Sequence, residues 1–369
     1  MFDKRQSRYY YNIHNKLRKF SNFNLTQGRD IGKTYRLQIN HPEYDNMRFL
    51  NTTYLLLTVI IFPTAGIACD IVLSPGANIQ NALNQYADVC LNPGVYNYSN
   101  ELIVPSGKTL EGADSSQYNN IILRSSADIQ VYMSSNTMLK SLSIEAAAGI
   151  IPTFGVLTYY ENNVILWNLN IQGNDINIGA DYASNVHIWD SYLSLNGILT
   201  NGSADPNIWI SDVTNIDIQW GIVTGRNNSY GGDGDGEIAI YNSTNAIIHG
   251  TYVINSGASG VYIVNCSSCI VDSATIIGAN GWGLDVVNGT TDFIAENNYI
   301  SGSHLGGSVY TGSGYPMINS RGHYINNIFI SNNTNGVASF CNGINYGGPA
   351  STFSVSGSSG NGLLLCKPW

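Results

Sequence analysis

Charge is what this sequence has least of. Asp, Glu, Lys and Arg make up 11% of its 369 residues, against roughly 25% in an average protein. From Asp70 onward there are six basic residues (Lys108, Lys140, Lys367, Arg124, Arg226, Arg321) and 21 acidic ones, a difference of −15. Such a surface repels polyanions, which excludes nucleic acid as a partner. A polyuronide would need bound cations or a local basic spot. Cysteine is sparse, at six. The CxxC of Cys266 and Cys269 has no second CxxC to complete a zinc site and no thioredoxin-like βαβ pattern around it. Long apolar runs are missing too: the run from Tyr54 to Phe62 is short for a membrane-spanning helix.

The first 46 residues hold nine of the sixteen Lys/Arg and show no hydrophobic period. They read as a disordered leader, or as sequence upstream of a true start at Met47. From Met47 the chain runs MRFLNTTYLLLTVIIFPTAGIAC: one Arg, an apolar run, then small residues. That is the layout of a secretory signal over 47–68, with cleavage after Ala68 and no stable membrane insertion afterwards. A retained signal anchor, and lipidation at Cys69 with Gly66 a poor match to a lipoprotein box, are the competing readings. Export suits the cysteines, which pair locally as Cys69 with Cys90, Cys266 with Cys269 and Cys341 with Cys366. Seven N-x-S/T sequons follow Asp70 (Asn97, Asn201, Asn227, Asn242, Asn265, Asn288, Asn332), usable only if the host glycosylates secreted proteins.

What is abundant is repetition. NVILW at 163, NVHIW at 185, NIDIQ at 215, NAIIH at 245, SCIVD at 268 and TDFIA at 291 align, with spacings of 22, 30, 30, 23 and 23. Periods in this range mark stacked β coils. Alternation places the second and fourth residues of each block inward (Val164/Leu166, Val186/Ile188, Ile216/Ile218, Ala246/Ile248, Cys269/Val271 and, in the last block, Ile294). A corner carrying Asp212, Asn242, Asn265 and Asn288 is expected to bond neighbouring backbone and to be structural. The fold class is therefore all-β: a solenoid of stacked parallel coils, each of three short strands. The expected boundaries are 69–120 for the N-terminal cap, 121–335 for the coils and 336–369 for a C-terminal cap.

Residues 75–113, PGANIQNALNQYADVCLNPGVYNYSNELIVPSGKTLEGA, place Ile79, Ala82, Leu83 and Tyr86 on one helix face, followed by an NPG turn, ELIV and PSGKTLEGA. This passage resembles the N-terminal cap of the pectate-lyase superfamily of right-handed parallel β-helices. The resemblance covers about forty residues and implies the fold, a right-handed parallel β-helix with a short N-terminal capping helix, and not the chemistry. The sequence lacks the polygalacturonase set NTD, DD, GHG and RIK, the RxPxxR of calcium pectate lyases, and the DPH motif of mannuronan epimerases.

Two outward faces are candidates. Two long coils carry inserts at one corner, NGILTNGSADP (196–206) and TGRNNSYGGDGDG (224–236). Long loops on a rigid scaffold commonly carry function. Arg226, Asp233, Asp235 and the following Glu237 are candidate catalytic groups there, beside an outward column of Trp209, Ala239, Tyr262 and Asp285 able to take sugar rings. GGDGDGE equally reads as a Ca2+ loop with Asp233 and Asp235 as ligands, or as a solvated polar turn. The second face is the outward side of the aligned blocks. One column there reads Trp167, Trp189, Gln219, His249, Asp272, Ala295, and its neighbour reads Ile165, His187, Asp217, Ile247, Ile270, Phe293. Rungs about 4.8 Å apart would pair His187 with Asp217 and His249 with Asp272, with Trp167 and Trp189 as an aromatic step. The functional reading is a secreted, monomeric polysaccharide-active protein, a hydrolase or a lyase. The alternative is a non-catalytic glycan-binding or adhesin-like solenoid at the cell surface.

Overall fold

The computed structural model describes residues 69–194, 206–225, 236–286, 290–303 and 327, and backbone at 287, 305–308, 321–325, 328–330, 352–356 and 359–360. The expected leader and signal, Arg226, Asp233, Asp235, Cys341 and Cys366 lie outside the described residues. No helix among the described residues is long and apolar enough to cross a membrane.

Every described strand pair is parallel. Each coil gives one strand to a nine-stranded sheet and two to a larger, 21-stranded one. The coil starting at Ile208 is representative: Ile208–Ser211 lies in the smaller sheet, and Thr214–Gln219 and Ile222–Thr224 lie in the larger. This is a right-handed parallel β-helix. Isoleucine and valine fill it because branched side chains suit a pleated surface buried against its neighbours. Val186 sits on Ile216 and then Ala246, and Ile188 on Ile218 and then Ile248. All six are buried, as the alternation requires.

The corners are built from residues that tolerate a left-handed backbone. The first residue of each block, Asn163, Asn185, Asn215, Asn245 and Ser268, has φ between 53° and 60°. Asparagine is at home there because its amide bonds locally. These amides form an exposed ladder: Asn163 donates to Asn136, Asn185 to Asn163, Asn215 to Asn185 and Asn245 to Asn215, at 2.8–3.1 Å. At the other predicted corner, Asp212, Asn242 and Asn265 are also left-handed. The bond there runs side chain to side chain, Asn265 Nδ2 to Asn242 Oδ1 at 2.9 Å, rather than to backbone.

One register expectation fails. The next left-handed corner is Asp292, at φ 54°, so the last block is DFIAE from 292, one residue later than TDFIA. Phe293 and Ala295, expected outward, are 0% exposed, and Ile294, expected inward, is half-buried on the outer face. The pairing Ile270↔Ile294, Val271↔Ala295, Asp272↔Glu296 fixes this. A core slot admits Phe293; it would not admit the carboxylate of Asp292 without a partner.

The capping helix spans Ile79–Gln85. Asn78 caps its start by accepting from Asn81 N, and Ile79, Ala82 and Leu83 are buried. Tyr86, expected on the same face, is the C-cap and is exposed. Parallel pairing begins at Ile71↔Val89, well before residue 121, and still holds at Ile325↔Ser356, inside the segment expected as a terminal cap. Cys69 is bonded to Cys90 and Cys266 to Cys269.

Candidate functional site

The larger sheet's first strands carry one outward column along the solenoid: Glu111, Lys140, Trp167, Trp189, Gln219, His249, Asp272 and Glu296. The next column includes Ile165, His187, Asp217, Ile247, Ile270 and Ile294. Parallel in-register stacking makes every such contact a nearest-rung contact about 4.8 Å along the axis.

Both expected His–Asp pairs are adjacent rungs, but they differ. His187 Nδ1 lies 3.5 Å from Asp217 Oδ2, too long for a good hydrogen bond. Asp217 is otherwise occupied: Trp189 Nε1 donates to it at 3.0 Å and Gln219 Nε2 at 2.6 Å. Burial works to raise the Asp217 carboxyl, but contacts from His187, Gln219 and Trp189 outweigh it, and its pKa falls below the usual carboxylate range. His249 Nδ1 meets Asp272 Oδ2 at 2.7 Å. Asp272 Oδ1 accepts from Ser273 Oγ at 2.9 Å and Asn297 Nδ2 at 3.1 Å. The carboxyl of Glu296 stands one rung on from Asp272. Burial first, and the Asp272 charge second, raise the Glu296 pKa. Two neighbouring carboxyl groups in different surroundings are the arrangement that separates an acid from a base.

Trp220 completes this stretch. It occupies a left-handed corner, φ 54°, and is 56% exposed. Its ring meets the His249 ring edge-on with centroids 6.0 Å apart. Gly250, φ 59°, sits against it: a Cβ there would come within 2.8 Å of Trp220 Cδ1. The glycine thus gives the indole room to lie across the next rung. Trp167 and Trp189, the expected aromatic step, are half-buried and in register. Each indole N–H is anchored to an aspartate, Trp167 to Asp190 and Trp189 to Asp217, both at 3.0 Å.

No known family model matches the sequence, and no curated protein matches it. Solved structures do resemble it. The polygalacturonase from Erwinia carotovora ssp. carotovora superposes with a TM-score of 0.53 at 14% identity, over 80% of this chain and 94% of that one. The catalytic domain of GH87 alpha-1,3-glucanase in complex with nigerose gives 0.43 at 12%, over 78% and 68%. The Streptococcus pneumoniae surface protein and adhesin PfbA gives 0.45 at 11%, over 78% and 97%. The fold is that of the pectate-lyase-like β-helices. At 14% identity the polygalacturonase likeness speaks to fold alone, and the other two carry no argument.

On the other side of this β-helix, the smaller sheet has the inward residues expected of it: Ile208, Ile210, Ile238, Ile240, Val261, Ile263, Leu284 and Val286 are buried. In its outward column Trp209 and Tyr262 are half-buried, whereas Ala239 and Asp285 are buried. Trp209 packs near Phe154, with centroids 6.4 Å apart, and Tyr262 near Tyr241 at 5.8 Å.

Glu237 does not join that column. It is 2% exposed and ends a chain of buried side-chain amides. Gln130 donates to Asn174 at 2.5 Å, Asn174 to Asn177 at 3.0 Å, Asn177 to Asn207 at 2.5 Å, and Asn207 to Glu237 Oε2 at 2.6 Å. Gly257 N donates to Glu237 Oε1 at 3.4 Å. Burial pushes the Glu237 carboxyl up to about 7, against the hydrogen bonds from Asn207 and Gly257. Expected as a catalytic group beside the Asp233 and Asp235 loop, Glu237 is instead buried and hydrogen-bonded to these donors. The one grouping of three potential metal ligands among the described residues, Cys69, Cys90 and Glu111, includes both sulfurs of a disulfide.

Sequence reasoning named Trp167, Trp189, His187, Asp217, His249 and Asp272 as candidates on this face and did not name Glu296 or Trp220. The one-residue slip hid Glu296. Trp220 stands one residue past the aligned block, outside the columns that alternation assigns.

Proposed function

We propose that this protein is an exported glycoside hydrolase that holds a glycan along the outward column and cleaves it at Asp272 and Glu296. The observation that carries the reading is the pair itself: two carboxyl groups on consecutive rungs of an outward face, one with a raised pKa and one fixed by three hydrogen bonds. Glu296, protonated, donates to the leaving glycosidic oxygen. Asp272, oriented by His249, Ser273 and Asn297, bonds the anomeric carbon as the glycosidic bond breaks; water, giving its proton to the now ionised Glu296, then displaces Asp272 and releases the sugar. A rung spacing of about 4.8 Å is nearer the ~5 Å separation of retaining enzymes than the ~6.5–9.5 Å of inverting ones, so retention of anomeric configuration is expected. Trp220, exposed, and Trp189, half-buried, offer ring faces to sugars, each an apolar surface with one polar edge. The likeness in fold to a polygalacturonase, by its name an enzyme acting on a glycan, supports this reading. Export rests on the signal-like layout of residues 47–68 and on the two disulfides.

A second reading, a glycan-binding solenoid without catalysis, draws support from an exposed tyrosine corner. Tyr160 and Tyr182 stack with centroids 4.9 Å apart and planes 9° from parallel, and Tyr159 meets Tyr160 edge-on at 4.4 Å. Purified protein incubated with neutral and acidic polysaccharides decides between the two. New reducing ends without unsaturated-uronide absorbance support hydrolysis. Both signals together would mean elimination and turn attention to Arg226, Asp233 and Asp235. Binding without either product leaves the solenoid as a binder.

A further inference from the structure

Beyond the acid pair, the same outward column ends toward the N-terminus in a groove of about 570 Å³. Its lining includes Glu111, Lys140, Trp167, Asn168, Asp190 and Ser115. At its floor, Lys140 Nζ bonds Glu111 Oε2 at 2.7 Å and lies 5.3 Å from the Trp167 ring centroid. Both charged groups are largely out of solvent: the side chains are 15% and 6% exposed. Trp167 is fixed in turn by its indole bond to Asp190, and Asn168 by bonds to Ser141 Oγ and Ser115 O. An ammonium held by one carboxylate and one aromatic ring keeps a further N–H donor. Around it stand a carboxylate acceptor at Asp190, an amide and a hydroxyl. These side chains hold their positions through their own network, with no ligand needed.

We propose that this groove is a saccharide-binding pocket for a neutral sugar, a distal subsite of the chain cleaved at Asp272 and Glu296. The inference rests on the hydrolase reading for its place in that chain, though not for its chemistry. The ligand is neutral because the pocket brings two carboxylates and one ammonium. The only described cation at the site is already paired with Glu111, leaving no countercharge for a uronate. It is hydroxyl-rich because the open partners are donors and acceptors side by side. From Trp167 to Glu296 is five rung steps, about 24 Å at about 4.8 Å each. A glycan reaching both ends must span several sugar units, which makes the protein a binder of long chains.

The test is calorimetric titration of the full-length protein with neutral hexasaccharides (malto-, cello- and laminarihexaose), their disaccharides, and hexagalacturonate, in wild type and two variants. Ser115→Trp fills the groove from an exposed position without touching the buried ion pair. Trp167→Ala removes the platform. The expected result is that a neutral hexasaccharide binds at least tenfold more tightly than its disaccharide and than hexagalacturonate, and that both variants lose most of that margin. Unchanged hexasaccharide affinity in Ser115→Trp overturns the pocket, as does preferential binding of hexagalacturonate. Reducing-end release measured in parallel separates the two proposals. Groove-dependent binding with no hydrolysis leaves the pocket standing and sinks the hydrolase. Hydrolysis without groove dependence does the reverse.

Discussion

Two polar columns run along this β-helix, one outside and one inside, and each contains a glutamate whose carboxyl resists ionisation. Outside, Glu296 is half-buried and follows His249 and Asp272 in register. Inside, Glu237 follows Gln130, Asn174, Asn177 and Asn207 and is sealed from water. A raised pKa alone would rank Glu237 the stronger catalytic candidate. Its surroundings rule otherwise. Asn207, Gly257 and Ser256 hydrogen-bond it in place, and Gly225 is so close that a Cβ there would strike the carboxylate. Glu296 owes part of its shift to a second carboxylate one rung away, on a face carrying a 56% exposed tryptophan. A perturbed proton points to chemistry only when a substrate can reach it.

The sharpest way to break the comparison is to remove the outer proton. Glu296→Gln is expected to lower kcat by about 10²–10⁴-fold, the usual worth of a general acid, with folding unchanged because the amide keeps the shape. In the wild type the basic limb of the kcat profile belongs to Glu296, so activity falls as pH rises through its raised pKa. A Glu296→Gln enzyme with full activity and an unaltered basic limb would remove Glu296 from the chemistry.

The inner glutamate is expected to show itself in stability instead. Its folded pKa, about 7, exceeds its ordinary 4.5. The folded state therefore holds a proton that the unfolded state releases. The stabilisation is complete below about pH 4.5 and is lost as pH rises toward 7, a total of about 3 kcal/mol. Urea midpoints between pH 4.5 and 8 should fall across that window in the wild type and stay flatter in Glu237→Gln. Parallel pH curves for the two proteins would mean that the buried carboxyl is already ionised.

Much of this was legible beforehand, and the failures have physical causes. Alternation identified the core of both sheets because a buried slot tolerates only apolar side chains, and it placed His249 beside Asp272 because parallel strands stack without offset. The slip at Asp292 came from assuming an equal coil length, when Ser268 to Asp292 is one residue longer than Asn245 to Ser268. Phe293 was the overlooked signal. The inner ladder also had one: Asn177–Ile178, Asn207–Ile208 and Glu237–Ile238 repeat at an interval of 30, each polar residue just before an inward isoleucine. Glu237 was read with the loop before it rather than with the amides beneath it. The tyrosine corner was not legible, since Tyr160 and Tyr182 meet only through the turn geometry.

The smallest expected effect tests whether the outer column binds sugar through Trp220. Trp220→Ala removes a ring face from a solvated site, worth about 0.5–1.5 kcal/mol for comparable aromatic contacts. That predicts a rise in KM of a few-fold with kcat nearly kept, the mark of binding shared by ground and transition states. Gly250→Ala approaches the same ring from below. Its Cβ would crowd Trp220 Cδ1 and Nε1 at 2.8 and 3.2 Å, and a non-glycine residue at φ 59° adds about 1–2 kcal/mol of backbone cost. If Trp220 works by lying across that corner, Gly250→Ala raises KM as Trp220→Ala does, and the double variant adds little, because both act through one ring. Additive effects would instead mean that Gly250 serves the turn alone, and that the sugar is held by Trp189 without its exposed neighbour.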